Sequence, residues 1–453
     1  MLETLRFQNF KSWRDTGDIR LASITGLFGT NSSGKSSILQ FLLMLKQTVE
    51  SRDRQQVLEL GNEQTYVDLG STKDFLHKHE IPARLNFSCS WKTLDEFLLP
   101  LDLIPDMIPD RFINSFDYYQ GIVHLASALE IDEDNLQVTK IEYKFKSAQN
   151  IINTIGIVCS DSSENGYELQ AEGDISPRII LQIDKHISPP LKSYGFFSKI
   201  YLGIDYISNL VSSFEKQLLQ TYYLGPLREY PHRLYIWSGE TPQDVGKRGE
   251  LTIPALLAAN RKSTYVEGQV ARWLKALGLI HDFSLQPIAE NRREYELLIQ
   301  RTPHSTKTTI TDIGFGVSQI LPVLVLCYYA LEGSTVIFEQ PEIHLHPAVQ
   351  AKLADLFIEV SKERNLQIIV ESHSEHLLRR LQLGIAQEKI TNEEAALYFC
   401  DMDDNGESHL TPLALDEFGN INNWPEHFFG DEMGDLVAMT EAAMKRQMAG
   451  EAS

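Results

Sequence analysis

Eight consecutive residues, Gly29, Thr30, Asn31, Ser32, Ser33, Gly34, Lys35 and Ser36, set two glycines, a lysine and a hydroxyl in the order G-x-x-x-x-G-K-S. In that order each type has a task in holding a polyphosphate. Backbone N–H groups of the loop and of the following helix start cradle the phosphates, Lys35 reaches the β and γ oxygens, and the Ser36 hydroxyl ligates Mg2+. Gly29 and Gly34 supply the positive φ and the close approach that a Cβ would block. Asn31, Ser33 and Ser37 complete the candidate nucleotide-binding residues around this loop.

Two further places have side chains suited to the same chemistry. Thr335 to Phe338 is a short apolar run ending in Glu339, Gln340, Pro341 and Glu342, and a carboxylate at a buried strand end can hold the hydration shell of Mg2+. Leu366 to Val370 is a second such run, ending in Glu371, Ser372 and His373, where an imidazole can hydrogen-bond a γ-phosphate and orient water. The turn TDIGFGVSQ puts Ser318 and Gln319 at a helix start, a place for an anion, including one brought by another subunit. Arg228 and Arg233, in a Gly- and Pro-rich loop spanning Tyr222 to Glu250, either reach phosphate or an acidic neighbour, or are ordinary surface charges. Gln64 stands either at a γ-phosphate-sensing position or in a solvated loop. His77, His79, His124 and His186 are too dispersed for a metal site.

The elements that must position these residues follow from periodicity. Ser23 to Phe28 reads as the strand entering the phosphate loop, and Lys35 to about Val49 as an apolar helix leaving it, capped by small polar residues. Val67 to Gly70 reads as a short strand and turn. From about Ala83 to Gln220 alternating strands mix with helical segments such as Ser208 to Gln220, an inserted α+β region without sustained heptads. A helix over Val266 to Leu279 precedes strands near Phe283 to Ala289 and Tyr295 to Arg301, and Asn405-Gly406 marks a hairpin. Trp424, Phe428 and Phe429 near the end would fill a pocket on the core or on a partner, and a final helix follows them.

The chain has 453 residues, 43% apolar and 23% charged, enough for two or three domains. No run approaches a membrane span, and the first residues lack a signal-peptide layout, so a cytoplasmic location is expected. Cys89, Cys159, Cys327 and Cys400 lack C-x-x-C spacing and read as buried apolar thiols. A formal charge of -21 argues against a broad grip on nucleic acid.

The phrases GTNSSGKSS, GFGVSQILP, EQPEIHLHP and ESHSEHLL, in that order, resemble an ABC-type ATPase head, closest to prokaryotic AAA-family ATPases related to SMC, RecF and OLD proteins. GNINNWPEHFFGDE is similar to a Trp-Pro and Phe-Phe C-terminal domain of unknown function found on one branch of them. The resemblance implies an α/β head, a mixed sheet with helices, split into residues 1–82 and 221–415 around the 83–220 insertion, with a small extension over 416–453. It implies ATP and Mg2+ as cofactors and a homodimer in which the loop of one head faces Ser318 and Gln319 of the other. It places Glu339 at the Mg-associated Walker B carboxylate, together with Ser36, and His373 at the switch histidine, with His346 and Pro347 in the D-loop region. Gln340 departs from the pattern, because an amide stands where many such heads carry a catalytic Glu. Either Glu342 polarises the water or hydrolysis is slow and the protein acts as an ATP-bound clamp. The role implied is a regulatory ATPase of anti-phage defence controlling a separate effector, a nuclease or toxin, since no nuclease signature is visible here. The rivals are a DNA-repair or chromosome-associated clamp and a non-hydrolysing scaffold fixed by nucleotide.

Overall fold

The computed structural model describes residues 1–53, 56–93, 121–133, 135–146, 151–160, 166–173, 183–187, 190–195, 198–200, 206–425 and 438–443. Phe428 and Phe429 lie outside the described residues.

In chain order, strands β1 (Leu2–Phe10), β2 (Trp13–Asp15), β3 (Ile19–Arg20) and β4 (Ile24–Gly29) lead to helix α1 (Lys35–Glu50) and the short α2 (Thr72–Phe75). Next come β5 (Ala83–Thr93), β6 (Gly121–Asp132), β7 (Asn135–Lys146), β8 (Ile152–Cys159), β9 (Tyr167–Glu172), β10 (Ile183–Ile187) and β11 (Ser198–Ile200), closed by α3 (Tyr206–Leu219). Then follow β12 (Thr221–Leu224), β13 (Tyr235–Ile236), α4 (Thr252–Asn260), α5 (Tyr265–Ala276), β14 (Asp282–Pro287), β15 (Glu294–Gln300), β16 (Thr308–Thr309) and α6 (Phe315–Tyr329). The last are β17 (Thr335–Glu339), α7 (Pro347–Glu363), β18 (Gln367–Glu371), α8 (Glu375–Ala386), β19 (Ala395–Met402) and β20 (Ser408–Pro412).

The sheet that carries the chemistry has the order β12-β17-β18-β4-β19-β20, parallel except for β20. Strands β4, β17 and β18 are buried at every position. That is why they read as continuous apolar runs: a parallel strand covered on both faces has no polar side to show. Alternate residues feed two cores. Phe28, Val336, Phe338, Ile368 and Val370 face the helices α4 to α8, whereas Leu27, Ile337, Ile369 and Cys400 face α1 and the first sheet.

That first sheet, β2-β1-β5-β6-β7-β8-β9, is antiparallel throughout, and β5 pairs with β1 from Leu2 to Gln8. The strands from residue 83 onward therefore extend a sheet begun by the N-terminus. Phe41 of α1 stacks on Phe7 with ring centroids 4.4 Å apart and meets Phe10 and Phe87 edge-on. Packed on nearly all sides, α1 is apolar well beyond one stripe. Gln367 ties the two sheets together, since its side chain accepts from Leu2 N and Thr335 Oγ1 and donates to Leu2 O.

Several local expectations are corrected. Helix α1 has Gly34 as its N-cap with no side-chain cap bond, because φ of 89° and the tight loop leave no room for a Ser there. Val67 to Gly70 is not a strand; it is a loop held by Leu69 N on Leu60 O and by the Asp68 carboxylate on Gly70 N. Helix α5 stops at Ala276, ahead of Gly278 at φ 73°, a left-handed stop that glycine tolerates. Cys89, Cys327 and Cys400 are buried, but Cys159 is exposed at the end of β8. Trp424 lies on the surface of α8 with Arg379 over its ring at 4.5 Å, where a pocket in the core was expected.

Candidate functional site

The C-terminal ends of β4, β17 and β18 converge, so the phosphate loop, Glu339 and Glu371 share one end of the sheet. The loop is fixed by contacts a side chain would destroy. A Cβ on Gly29, whose φ is 134°, would lie 2.0 Å from Cys400 O, and one on Gly34 would lie 2.4 Å from Ser408 Oγ. Trp13 Nε1 donates to Gly34 O at 3.0 Å. Lys35 folds back over its own loop: its ammonium donates to Gly29 O at 3.2 Å, Thr30 O at 2.5 Å and Ser33 Oγ at 3.3 Å. Burial lowers Lys35 below the usual lysine range, with Glu371, Cys400 and Glu342 pulling the other way.

A cavity of about 370 Å3 opens beside this loop, lined by Asn31, Ser33, Gly34, Lys35, Ser36 and Ser37 together with Gln340, Glu371 and His373. Lys11 and Gln40 join it from outside the motif, their side chains paired at 2.5 Å. Ser318 and Gln319 are buried elsewhere in the same chain, near Tyr230 and Pro322 in the case of Ser318, and its hydroxyl donates to Phe315 O at 2.8 Å. The expected exposed hydroxyl is thus turned inward. Pro322, lacking an N–H, leaves the Ser318 carbonyl without its helical partner. Gln64 lines a different cavity at the other end of α1.

The acidic residues divide the work differently from the sequence expectation. Ser36 Oγ donates to Glu371 Oε1 at 3.0 Å, while Glu339 Oε2 accepts from Tyr223 Oη at 3.0 Å. Glu339 and Glu371 are register partners on adjacent parallel strands. Burial, reinforced by the neighbouring Glu371 charge, pushes Glu339 up to about 7, against the Tyr223 hydrogen bond and Arg228. Arg228 is itself buried, with Nε and Nη1 unpartnered, and desolvation lowers it to about 10. Arg233, by contrast, forms an exposed pair with Asp312 at 2.7 Å.

Gln340 takes a positive φ of 44°, its N–H donating to Glu371 O at 2.8 Å. Its amide Nε2 donates to Glu371 Oε1 at 3.4 Å, a long contact. Glu342 Oε1 accepts from His373 N at 2.7 Å, and its Oε2 is buried without a partner. Burial raises the Glu342 carboxyl. It braces the backbone that presents His373. Burial, with the nearby Lys35 charge, lowers the His373 ring below the usual histidine range, with the Gly29 backbone pulling the other way.

Among the described residues no group of three or more His, Cys, Asp or Glu could hold a metal. The oxygens present still suit Mg2+, which takes one or two protein ligands and completes its shell with phosphate and water. Glu371 Oε2 is buried with no partner, beside the Ser36 hydroxyl. Sequence reasoning did not single out Glu371, Tyr223 or Lys11. The strand-end rule that selected Glu339 applies equally to Glu371.

Residues 253–378 match the family model of an AAA ATPase domain, and residues 390–439 match a protein family of unknown function, DUF3696. No curated protein matches the chain. Among solved structures, it is similar to an SMC head bound to the C-winged helix domain of ScpA, at 14% identity and TM-score 0.43 over 92% of this chain and 98% of that one. It is also similar to the SMC head domain from Thermotoga maritima, at 15% identity and TM-score 0.36 over 91% and 99%. A third is the Pyrococcus furiosus Smc head with an extended coiled coil bound to the C-terminal domain of ScpA, at 12% identity and TM-score 0.42 over 91% and 96%. The chain has a mixed α/β fold, part of which matches an AAA ATPase domain, with its phosphate loop between β4 and α1 and its acidic strand ends beside it. Among the described residues no helix is long and apolar enough to cross a membrane.

Proposed function

We propose that this ATPase head binds MgATP in the cavity beside Lys35, turns it over slowly, and uses the bound state to dimerise and control a separate effector. The observation that carries the reading is the convergence of Lys35, Ser36, Glu371 and His373 on one cavity of about 370 Å3 at the ends of three strands. Ser36 and Glu371 would hold Mg2+, with Glu339 behind Glu371 on the next strand. Bound there, Mg2+ supplies positive charge against the phosphate oxygens.

The loop N–H groups and the start of α1 bind phosphate, and Lys35 exchanges three loop oxygens for phosphate oxygens. His373 lines the cavity beside Lys35, where its ring can contact a phosphate oxygen or a water. Gln340 orients but cannot take a proton, and Glu342, whose Oε1 accepts from His373 N and whose Oε2 is buried without a partner, does not line the cavity, so the attacking water has no dedicated base there. This supports slow turnover, on the order of minutes or longer per event, as in phosphoryl-transfer sites that lack a positioned catalytic group.

Dimerisation follows from what one chain leaves apart. Ser318 and Gln319 do not line the loop cavity of their own chain, so in this reading they serve a second copy, with the Ser318 hydroxyl exchanging Phe315 O for a partner's phosphate. The defence role, with a nuclease or toxin as effector, rests on the motif resemblance alone.

The test combines radiolabelled ATP turnover with light scattering. Wild type should hydrolyse above a Lys35→Ala control and dimerise with ATP, and Ser318→Arg should keep ATP binding while losing the dimer. A wild type that stays monomeric with ATP refutes the sandwich; turnover equal to Lys35→Ala leaves only the nucleotide-fixed scaffold.

A further inference from the structure

A second cavity, of about 620 Å3, opens at the opposite end of α1 from the phosphate loop. Lys46 and Glu50, on the last turns of α1, form one wall, whereas Tyr328 and Tyr329, at the end of α6, form another. At 1.5 Å per residue, the 16-residue α1 puts roughly 20 Å between this cavity and Lys35. Its volume is in the range of small-molecule sites.

The walls are rich in tyrosine rings, and two of the hydroxyls are engaged: Tyr328 donates to Glu359, and Tyr329 donates to Pro242 O at 2.6 Å. What these two offer a ligand is therefore ring surface. The cavity already holds one cation over a ring, because Lys46 Nζ sits 5.1 Å from the Tyr66 centroid. That ammonium is spoken for by Glu50 at 2.7 Å and Leu218 O at 3.3 Å.

Asp244 is different. Its Oδ1 accepts from Gly246 N at 2.8 Å, and no ion pair reaches it among the described residues. Burial and the neighbouring charges of Glu50 and Glu250 hold its carboxyl above the usual range, against the Gly246 hydrogen bond and the Lys46 charge. Lys262 lines the cavity too, but it is exposed at the rim. An unpaired carboxylate beside aromatic walls selects a positive group on a flat or apolar body.

We propose that this cavity is an effector site for a small aromatic amine, whose ammonium pairs with Asp244 while its ring lies among the tyrosines. Occupancy would bear on α1 and α6 together, the helices that begin at Lys35 and at the Ser318 turn. That coupling rests on the nucleotide reading above; the binding itself does not.

The probes are tyramine, tyrosol and 4-hydroxyphenylacetate, one body carrying a positive, neutral or negative group, titrated by calorimetry into the full chain. Tyramine should bind with a submillimolar Kd, tyrosol about tenfold more weakly and the anion more weakly still. Asp244→Asn should reduce tyramine to the affinity of tyrosol, and Ala259→Leu, which fills the cavity, should abolish binding while melting like wild type. Absence of tyramine heat, equal affinity for the three probes, or tyramine affinity unchanged in Asp244→Asn overturns the site. Saturating tyramine should change the Kd of a fluorescent ATP analogue by about fivefold or more. An unchanged Kd overturns the effector role alone. Failure of the analogue to bind without tyramine would overturn the nucleotide reading instead, leaving the calorimetric result intact.

Discussion

Replacing Glu339 by Gln should make the folded protein less sensitive to pH. In the native chain Glu339 is buried beside Glu371 and titrates near 7, whereas an unfolded Glu titrates near 4.5. Between those values the unfolded chain has released its proton and the folded chain retains it, so stability falls as pH rises and levels off above 7. The full contribution is present below about 4.5. Two and a half units at about 1.4 kcal/mol each give a loss of about 3 to 4 kcal/mol between pH 4.5 and 7. Gln keeps an oxygen for the Tyr223 hydroxyl and carries no proton to lose. Urea unfolding of wild type and Glu339→Gln, without nucleotide or divalent cation, should therefore give diverging midpoints from acid to neutral pH, with the variant the more stable above 7. Parallel pH dependences for the two proteins would refute the placement of Glu339 as a buried carboxyl facing Glu371.

The other expectations are briefer. Gly29→Ala should cost several kcal/mol, about 3 or more, and abolish ATP binding, because its Cβ would meet Cys400 O at 2.0 Å; a near-native urea midpoint would count against it. Glu342→Gln should keep wild-type stability and ATP turnover, since an amide oxygen still accepts from His373 N, whereas Glu342→Ala should lose about 1–3 kcal/mol; a turnover collapse in the Gln variant would make Glu342 the proton acceptor. Gln367→Leu should cost about 2–4 kcal/mol in thermal or urea unfolding, because it leaves Leu2 N and O buried without partners. Arg228→Met should bind ATP more weakly than Arg228→Lys if the positive charge near Glu339 is what counts; equal affinities would make it a packing residue.

The phosphate loop and the three buried strands were legible because their physics is local: glycines where φ is positive, and apolar runs where both faces of a strand are covered. The site was legible as a set of strand ends, but not as a set of partners. That Ser36 meets Glu371 while Glu339 meets Tyr223 depends on which strand lies beside which, a tertiary fact with no trace in either segment. Glu342 was legible from its spacing, but not that one of its oxygens accepts from His373 N while the other is buried without a partner. Arg228 sits in a loop rich in Gly and Pro, where exposure is the rule, yet it is buried against β12 and β17 residues. Val67 to Gly70 had a strand-like composition, but a backbone bond to Leu60 closes it as a loop.

The position of β4 also constrains how the protein comes into being. Its edges are held by β18 and β19, with Ile24 opposite Ile368 on one side and Ala395 on the other. On a ribosome the phosphate loop cannot be clamped until β18 and β19 have followed it. Its strand must wait with both hydrogen-bonding edges open while the antiparallel sheet forms from closer neighbours, and pairings this remote in sequence form slowly. A nascent chain stopped before β18 would carry the complete Gly29–Ser36 motif without the neighbours that hold Gly29 against Cys400 and Ser36 against Glu371. Closure of this end of the sheet thus waits on Ile24 meeting Ile368 and Ala395, segments far apart in the chain.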